Sequence, residues 1–477
     1  PRRLYHDLAQ QLCTSRAVMT VTAAFLADLR SCLPSDQVLT SPEDLIVHGY
    51  DGTWLDHLPD VVVVPRTTAN VAAIVQVACA HGVPLVPRGA GSGLAGGAVP
   101  ACGGVVLSTT RMDQILAIDR SSLIAVVQPG VVNATLQNSV ERLGLFYPPD
   151  PASLNQATIG GNVATSASGP RCLKYGGTKD YVVGLEVVLA SGEVVRLGSR
   201  SHQPTADHHL LQAFIGSEGT LGVITEVAVR LIPKPEHRGT VMAAFNHLED
   251  ASDAVSRILI AGVVPLALEM MDQVTLRCVE EYLKVGLPID SEAMLLIDVD
   301  GGTEAVGLQV DLVADVCRAA GAAIVQPAAS DAESARLWRA RRSTSSSFGR
   351  LRPNKLGEDI SVPRSAVPTM VRAVQAIARE YDLLIPLFGH IGDGNLHPNI
   401  LCDLRDRTEM TRVVAAARAI FAASIENCGV LSGEHGIGML KRDFMSQCLD
   451  KGALALLRRI KRTVDPMGLL NPGKVFD

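Results

Sequence analysis

The run GAGSGLAGGAVPACGG, residues 89–104, constrains the fold more than any other stretch of this chain. Five glycines between 89 and 97 make a helix or strand interior costly there, because glycine gives up the most backbone freedom on being ordered. What frames the run is regular. "VVVV" at 61–64 reads as a buried strand stopped by Pro65. Thr67 and Thr68 offer caps for a helix through "NVAAIVQVACAH", Gly82 closes it, and "VPLVPR" gives the next strand. A β-α-β unit therefore hands its glycine loop straight off a strand end, and "VVLS" at 105–108 resumes the sheet. Gly91-Ser92-Gly93-Leu94-Ala95-Gly96 spells the dinucleotide fingerprint in letters only. That fingerprint follows the first strand of its unit and opens a helix. Here it follows the second strand, and "GGAVPACGG" cannot open a helix. A nicotinamide site fails on context, whereas a loop whose bare N–H groups turn toward an anion remains.

Two more loops of small residues follow, "PPDPASLNQATIGGNVATSASGPRCLKYG" at 148–176 and "GSEGTLGVITEV" at 216–227. Three such loops call for a large, extended cofactor lying along several loop tips. Strands are expected at "LIAVVQ", "LEVVLA" and "VITEVAVRLI", with "SGE" at 191–193 as a turn. The Pro-rich "IPKPEHR" at 232–238 marks a domain boundary. Beyond it, helical stretches ("LEDASDAVSRILIAG", "VGLQVDLVADVCRAAG", "VPTMVRAVQAIAREY", "TRVVAAARAIFAASIENCG") alternate with short strands ("AMLLIDVD", "LLIPLFGHI", "LHPNIL"). That texture is an α+β domain with a mostly antiparallel sheet.

With 477 residues, 47% of them apolar, two or three domains are expected. A formal charge of −6 and 4% aromatic residues leave no footprint for nucleic acid. The ten cysteines contain no C-x-x-C pair, which suits a reducing cytosol and excludes a ferredoxin-type cluster in this chain. The apolar run "VVAAARAIFAASI" is broken by Arg418, so no transmembrane segment is expected. The first residues lack the apolar stretch of a secretory signal; Met19 as the natural start and an extension over 1–18 both fit.

"PLFGHIGDGNLHPNI", residues 386–400, carries the chemistry of the second half. If Asp393-Gly394 is a two-residue hairpin turn, pairing runs outward until His390 faces His397. Directly opposed residues share a face with Cβ atoms roughly 4.5–5.5 Å apart. Two neutral imidazoles at that distance hold one divalent ion, and a third ligand is needed.

The ordered series "PRGAGSGLAGGA", "PDPAS…IGGNVATSASG…KYG", "GSEGTLGVITE", "GHIGDGNLHP", "SGEHGIG", "DPMGLLNPGK" resembles the FAD-linked oxidases of the vanillyl-alcohol oxidase fold, from about residue 40 onward. Within that family it is most similar to the D-2-hydroxyacid dehydrogenase group, which includes D-lactate dehydrogenases and the flavin subunit of bacterial glycolate oxidase. The resemblance implies a two-subdomain FAD-binding domain over 19–236, an α+β cap domain over 237–430, and a C-terminal segment, 431–477, that returns to the FAD domain. Some members attach FAD to a histidine in the first loop. That loop has none here, so non-covalent FAD is implied. The cofactor-binding residues implied are Pro87, Arg88, Gly89, Ala90, Gly91, Ser92, Gly93 and Gly97 in the first loop. In the second they are Pro149, Asp150, Pro151, Ser153, Gly160, Gly161, Asn162, Ala164, Gly169, Tyr175 and Gly176. Glu218, Gly219, Gly222, Val223 and Ile224 follow in the third, and Asn471 near the end.

The same resemblance implies the missing ligand. His390, His397 and Glu434 would hold one divalent metal, and two imidazoles with a carboxylate suit zinc, manganese or iron. His435 would be the general base, since a neutral imidazole takes a hydroxyl proton near physiological pH. Of the arginines in "RLWRARRSTSSSFGR", the family's tryptophan-x-x-arginine pattern selects Arg341, three residues after Trp338, for the substrate carboxylate. The implied activity is oxidation of glycolate or D-lactate to the 2-oxoacid, with hydride passing to flavin N5. Electrons would leave to an iron–sulfur subunit, a quinone or a soluble carrier rather than NAD. A D-2-hydroxyglutarate-type dehydrogenase is the alternative inside the class, and Lys355 lies out of register for the lysine some such relatives carry. A metal-dependent hydrolase and a non-catalytic flavin-binding subunit are the readings outside it. The expected location is cytoplasmic, peripheral to a membrane where the acceptor sits there, with homo-oligomers allowed.

Overall fold

The structure, a computed structural model, describes residues 21–200 and 205–475; Met19 and the extension before it lie outside them. The described chain forms two compact units. One comprises the residues up to Ser168, Gly177–Lys234 and those from Glu434 on; the other comprises Gly169–Gly176 and Pro235–Gly433.

The first unit is built on two larger sheets, beside a two-stranded one that pairs Leu145–Phe146 with Ile232–Pro233. In the four-stranded sheet the order is Val38–Leu39, Val61–Val63, Val105–Ser108, Leu85–Arg88, and the last three run parallel. All three residues of Val61–Val63 and all four of Val105–Ser108 are buried, as strands covered on both faces must be. The intervening helix is Thr68–His81. Thr67 Oγ1 accepts from the Asn70 N–H at 3.1 Å, and Gly82 ends the helix in the left-handed conformation at φ 65°. Its Val71, Ile74, Val75 and Ala78 face the sheet and share a core with Phe25, Leu29, Leu85 and Leu107. The second sheet is wholly antiparallel, in the order Ile115–Asp119, Ile124–Val127, Val223–Arg230, Val182–Val188, Val194–Gly198.

The two parallel strands Leu85–Arg88 and Val105–Ser108 end level with each other, Arg88 beside Ser108. The glycine loop leaves from the first and Thr109 from the second. Space beyond the carboxyl ends of parallel strands is where ligands sit in such sheets.

In the other unit an antiparallel sheet runs Ile324–Pro327, His237–Phe245, Ala293–Gly301, Ala267–Asp272, Leu387–His390, Asn395–Cys402, Asn354–Gly357, with Ile360–Ser361 also on Asn395–Cys402. Helices Gln273–Leu283 and Asp331–Arg342 cover one face, where Leu276, Val279, Leu337 and Trp338 meet Met242, Met271 and Leu296. Antiparallel pairing throughout matches the expected α+β class.

The hairpin differs in register from the expectation. His390 pairs with Asn395 and Phe388 with His397, so the connection is the four residues 391–394, not two. The Ile391 carbonyl accepts from the Gly394 N–H at 3.3 Å, and Gly394 takes φ 83°. A four-residue loop built on one turn is a common hairpin connection. The slip is two residues, and side chains alternate with period two, so both histidines still emerge on one face as diagonal neighbours.

The last helix of the first unit, Lys451–Val464, is fastened by ions it buries. Lys461 Nζ donates to Asp465 Oδ2 at 2.5 Å and to the carbonyls of Thr220 and Leu470, each at 2.8 Å. Asp465 in turn accepts from the N–H groups of Leu469 and Leu470. Asp465→Ala should therefore destabilise this unit by about 3–5 kcal/mol, because it strands a buried ammonium. Urea unfolding followed by circular dichroism measures it; a loss under about 1 kcal/mol, as expected of a surface pair, would show that the latch is not structural.

Candidate active site

Three glycine loops of the first unit line one cleft, together with Glu434 and His435. From the first loop come Pro87, Arg88, Gly89, Ala90, Gly91, Ser92, Gly93 and Gly97; from the second Pro151, Ser153, Gly160, Gly161, Asn162 and Ala164; from the third Glu218, Gly219, Gly222, Val223 and Ile224. The cleft also takes in Leu94, Thr109, Pro129, Thr158 and Thr165, which the sequence reading passed over. Thr158 had a signal: it caps the short helix Ile159–Thr165, its Oγ1 accepting from the Gly161 N–H.

Six residues implied for the cofactor do not line the cleft. The Pro149 carbonyl is taken by the side-chain amides of Asn133 and Gln137, and the neighbouring Asp150 is buried. Gly169, Tyr175 and Gly176 belong to the other unit, where the Tyr175 hydroxyl donates to Asp300 Oδ2 at 2.9 Å. Asn471 is buried as a brace: its Nδ2 donates to the carbonyls of Gly97 at 2.9 Å and Glu218 at 2.7 Å, joining the first loop to the third. Arg88 is at the cleft, but its guanidinium turns back to the Tyr50 carbonyl at 2.6 Å, beneath Gly91. It supports the loop from behind.

Glu218 gathers the loops. Its N–H donates to the Ala164 carbonyl at 2.8 Å, tying third loop to second. Its carboxylate accepts from the N–H groups of Ile437 (Oε1, 2.7 Å) and Gly438 (Oε2, 2.9 Å), tying in the segment that carries His435. Burial pushes this carboxyl up to about 7, against those N–H donors and the nearby Lys441 and Lys474. Only glycine fits at 438: φ is 50° and a Cβ would lie 2.0 Å from the Ala95 carbonyl oxygen. Glu434 Oε2 accepts from the Ser168 hydroxyl at 3.0 Å. The result is a half-buried imidazole and a carboxylate at the wall of a cleft rich in small residues.

The other unit holds the second constellation. Pairing of Met271 with Phe388 puts Glu269, Phe388, His390 and His397 on the face that helix Asp331–Arg342 covers. The two imidazoles meet edge to face with centroids 5.1 Å apart. His390 Nδ1 lies 2.5 Å from Glu269 Oε1, and Arg341 donates Nε (2.7 Å) and Nη2 (2.5 Å) to Oε2 of the same carboxylate. Arg341, expected to be given over to substrate, is thus half committed to Glu269, and it stacks over the Phe388 ring at 4.5 Å. Glu269 is fully buried, which alone would raise its carboxyl; Arg341 and His390 outweigh burial and hold it below the usual range. His397 Nδ1 is 3.6 Å from Asp359 Oδ1, and Asp359 Oδ2 accepts from the Ser432 hydroxyl and the Gly433 N–H. Gly433 directly precedes Glu434.

Glu218→Ala leaves two buried N–H groups without acceptors, each costing about 1–3 kcal/mol. Hydrogen–deuterium exchange of peptides spanning 434–440 should speed up in this variant while the sheet peptides stay protected; unchanged exchange would show that Glu218 does not hold the segment.

Similarity to known proteins agrees with this arrangement. The C-terminal domain of FAD linked oxidases matches residues 234–475 and an FAD binding domain matches residues 59–198. The glycolate oxidase subunit GlcD of Bacillus subtilis is 44% identical over 432 residues, 90% of this chain and 92% of that protein. A D-lactate dehydrogenase of Anaerostipes hadrus is 35% identical over 426 residues, 87% of this chain and 89% of that one. Among solved structures, p-cresol methylhydroxylase with substrate bound superposes with a TM-score of 0.78 at 18% identity, over 95% of this chain and 96% of that one. The 4-ethylphenol oxidase of Gulosibacter chungangensis gives 0.76 at 20% identity, with the same two coverages. Those two likenesses place the fold with the vanillyl-alcohol oxidase type. A cleft walled by three glycine loops, in a chain matched this extensively, has one family to go to: the protein belongs to the FAD-linked oxidases.

Proposed function

We propose that this protein oxidises a small D-2-hydroxyacid, glycolate or D-lactate, to the 2-oxoacid, using non-covalent FAD and one divalent metal ion and yielding electrons to an acceptor other than NAD. The observation that carries the reading is that His435 and Glu434 line the same cleft as the three glycine loops. A proton acceptor therefore borders the space shaped for a large flat cofactor. The relatives named glycolate oxidase subunit, D-lactate dehydrogenase and D-2-hydroxyglutarate dehydrogenase support the substrate class. A hydrolase reading is set aside with the family.

The residues present fit FAD. Asn162 is 3% exposed at the cleft, and its Nδ2 meets no acceptor among the described residues, so it has a hydrogen bond to give a ligand. When bound, FAD supplies the acceptor for the substrate's Cα hydrogen, as hydride at N5. The donor set fits a metal as well: His390 and His397 share a face, and Glu434 follows a residue whose N–H Asp359 holds. When bound, the ion supplies Lewis-acid polarisation of the substrate hydroxyl. His435 takes the hydroxyl proton. Arg341 offers the substrate carboxylate the Nη1 side of its fork, which carries no hydrogen bond among the described residues. The glycine loops would let a flat cofactor lie directly against backbone.

One feature favours the D-2-hydroxyglutarate alternative. Lys355 pairs with Leu401, on the same face as His397, and its Nζ lies 3.4 Å from Asn399 Oδ1. Burial lowers it to about 8, so it stays largely cationic at neutral pH and could meet a second carboxylate. For electron transfer, an iron–sulfur subunit, a quinone or a soluble carrier would be the partner, in keeping with relatives named as subunits. No described helix is long and apolar enough to cross a membrane. A cytoplasmic location, peripheral to a membrane through the acceptor, and a homo-oligomeric state complete the proposal.

Acid precipitation should release all the yellow colour into the supernatant; flavin left in the pellet would mean a covalent link. His435→Ala should retain FAD and metal but slow flavin reduction by ~10²–10⁴-fold, the usual contribution of a general base. A loss under about tenfold would reduce His435 to a supporting role. His397→Ala should lower the metal content measured by mass spectrometry with FAD unchanged, and metal-free wild-type protein with full activity would refute the metal assignment.

A further inference from the structure

One imidazole of the hairpin has a buried carboxylate within hydrogen-bond reach of Nδ1, and the other has one farther from Nδ1. Glu269, 1% exposed, approaches His390 Nδ1 at 2.5 Å; Asp359, fully buried, lies 3.6 Å from His397 Nδ1. A neutral imidazole carries one N–H, and an ionised carboxylate can only accept. The proton therefore belongs on Nδ1 of His390, and Nε2 is its acceptor nitrogen. We propose that Glu269 is a positioning residue that fixes His390 in this tautomer, so that the ring is set to ligate a divalent cation before any ion arrives. The inference rests on the metal reading above and adds to it the residue that prepares one ligand.

The two carboxylates are not equivalent. Glu269 makes a true hydrogen bond to His390 and is itself held by Arg341 through Oε2, so ring, carboxylate and guanidinium form one rigid chain. Removing Glu269 would free both the imidazole and the arginine. Asp359 is too far from His397 Nδ1 for a hydrogen bond. Its short contacts go to the Ser432 hydroxyl at 2.7 Å and the Gly433 N–H at 2.9 Å. Asp359 thus fixes the backbone that leads into Glu434. Partners behind ligating histidines typically alter metal affinity by 10–100-fold when lost.

The test uses full-length, FAD-loaded protein labelled with 15N-histidine and stripped of metal by chelation. Two-bond proton–nitrogen correlation spectra report the tautomer of each ring, assigned with His390→Ala and His397→Ala. His390 in the wild type should show the Nδ1–H pattern. Glu269→Gln should mix the tautomers at His390 and weaken Zn²⁺ binding, read by calorimetry, by about 10–100-fold with FAD content unchanged. An Nε2–H pattern at His390 in the wild type overturns the proposal without needing any variant, as does Glu269→Gln with wild-type tautomer and zinc affinity. An Nδ1–H ring at His390 in a wild type that binds neither Zn²⁺ nor Mn²⁺ would uphold the positioning role and refute the metal site itself.

Discussion

Bare backbone cannot hold itself in place, and the cleft of this protein is mostly bare backbone. Glycine loops leave room for a flat ligand because they lack side chains, and for the same reason they have nothing of their own to pack. The structure solves this with a few buried polar groups centred on Glu218. Its N–H reaches the second loop, its carboxylate the His435 segment, and its carbonyl takes Asn471, which also holds the first loop. A buried carboxylate without such partners would be costly. Here the satisfied bonds set three loops and the His435 segment in one register.

The same logic recurs in the other unit. Glu269 ends on an imidazole and Asp359 lies beside one, and each also grips a second element: the Asp331–Arg342 helix through Arg341, and the Ser432 hydroxyl with the Gly433 N–H. A side-chain cluster assembled from separate sheet strands and a helix needs cross-links of this kind, because apolar packing is non-directional and does not fix ring orientation.

Much of this was legible in the sequence where the signal is local. Valine runs, the Thr67 cap and the Gly82 stop are read within one helical turn or one strand, and those elements stand where expected. The failure of the G-x-G-x-x-G match was legible too, from its place after the second strand. Register was not. "HIGDGNLH" is compatible with a two-residue Asp-Gly turn, and the structure uses four residues; only the period-two alternation kept the face right. Least legible were partners distant in the chain. Arg341 reads as the partner of a substrate carboxylate, but Glu269 also holds it from 72 residues away, and nothing near either residue announces the pairing. The bracing by Asn471 was not legible either, because its partners, Gly97 and Glu218, are brought together only by the finished fold.

The central claim is that a 2-hydroxyacid gives up its Cα hydrogen to the cofactor in this cleft. Anaerobic titration of the oxidised holoprotein with glycolate, D-lactate, L-lactate and D-2-hydroxyglutarate, following the flavin's visible absorption, tests it most directly. The account predicts bleaching by glycolate or D-lactate, faster than by the other two acids. A flavin that dithionite bleaches but none of these acids does would contradict it.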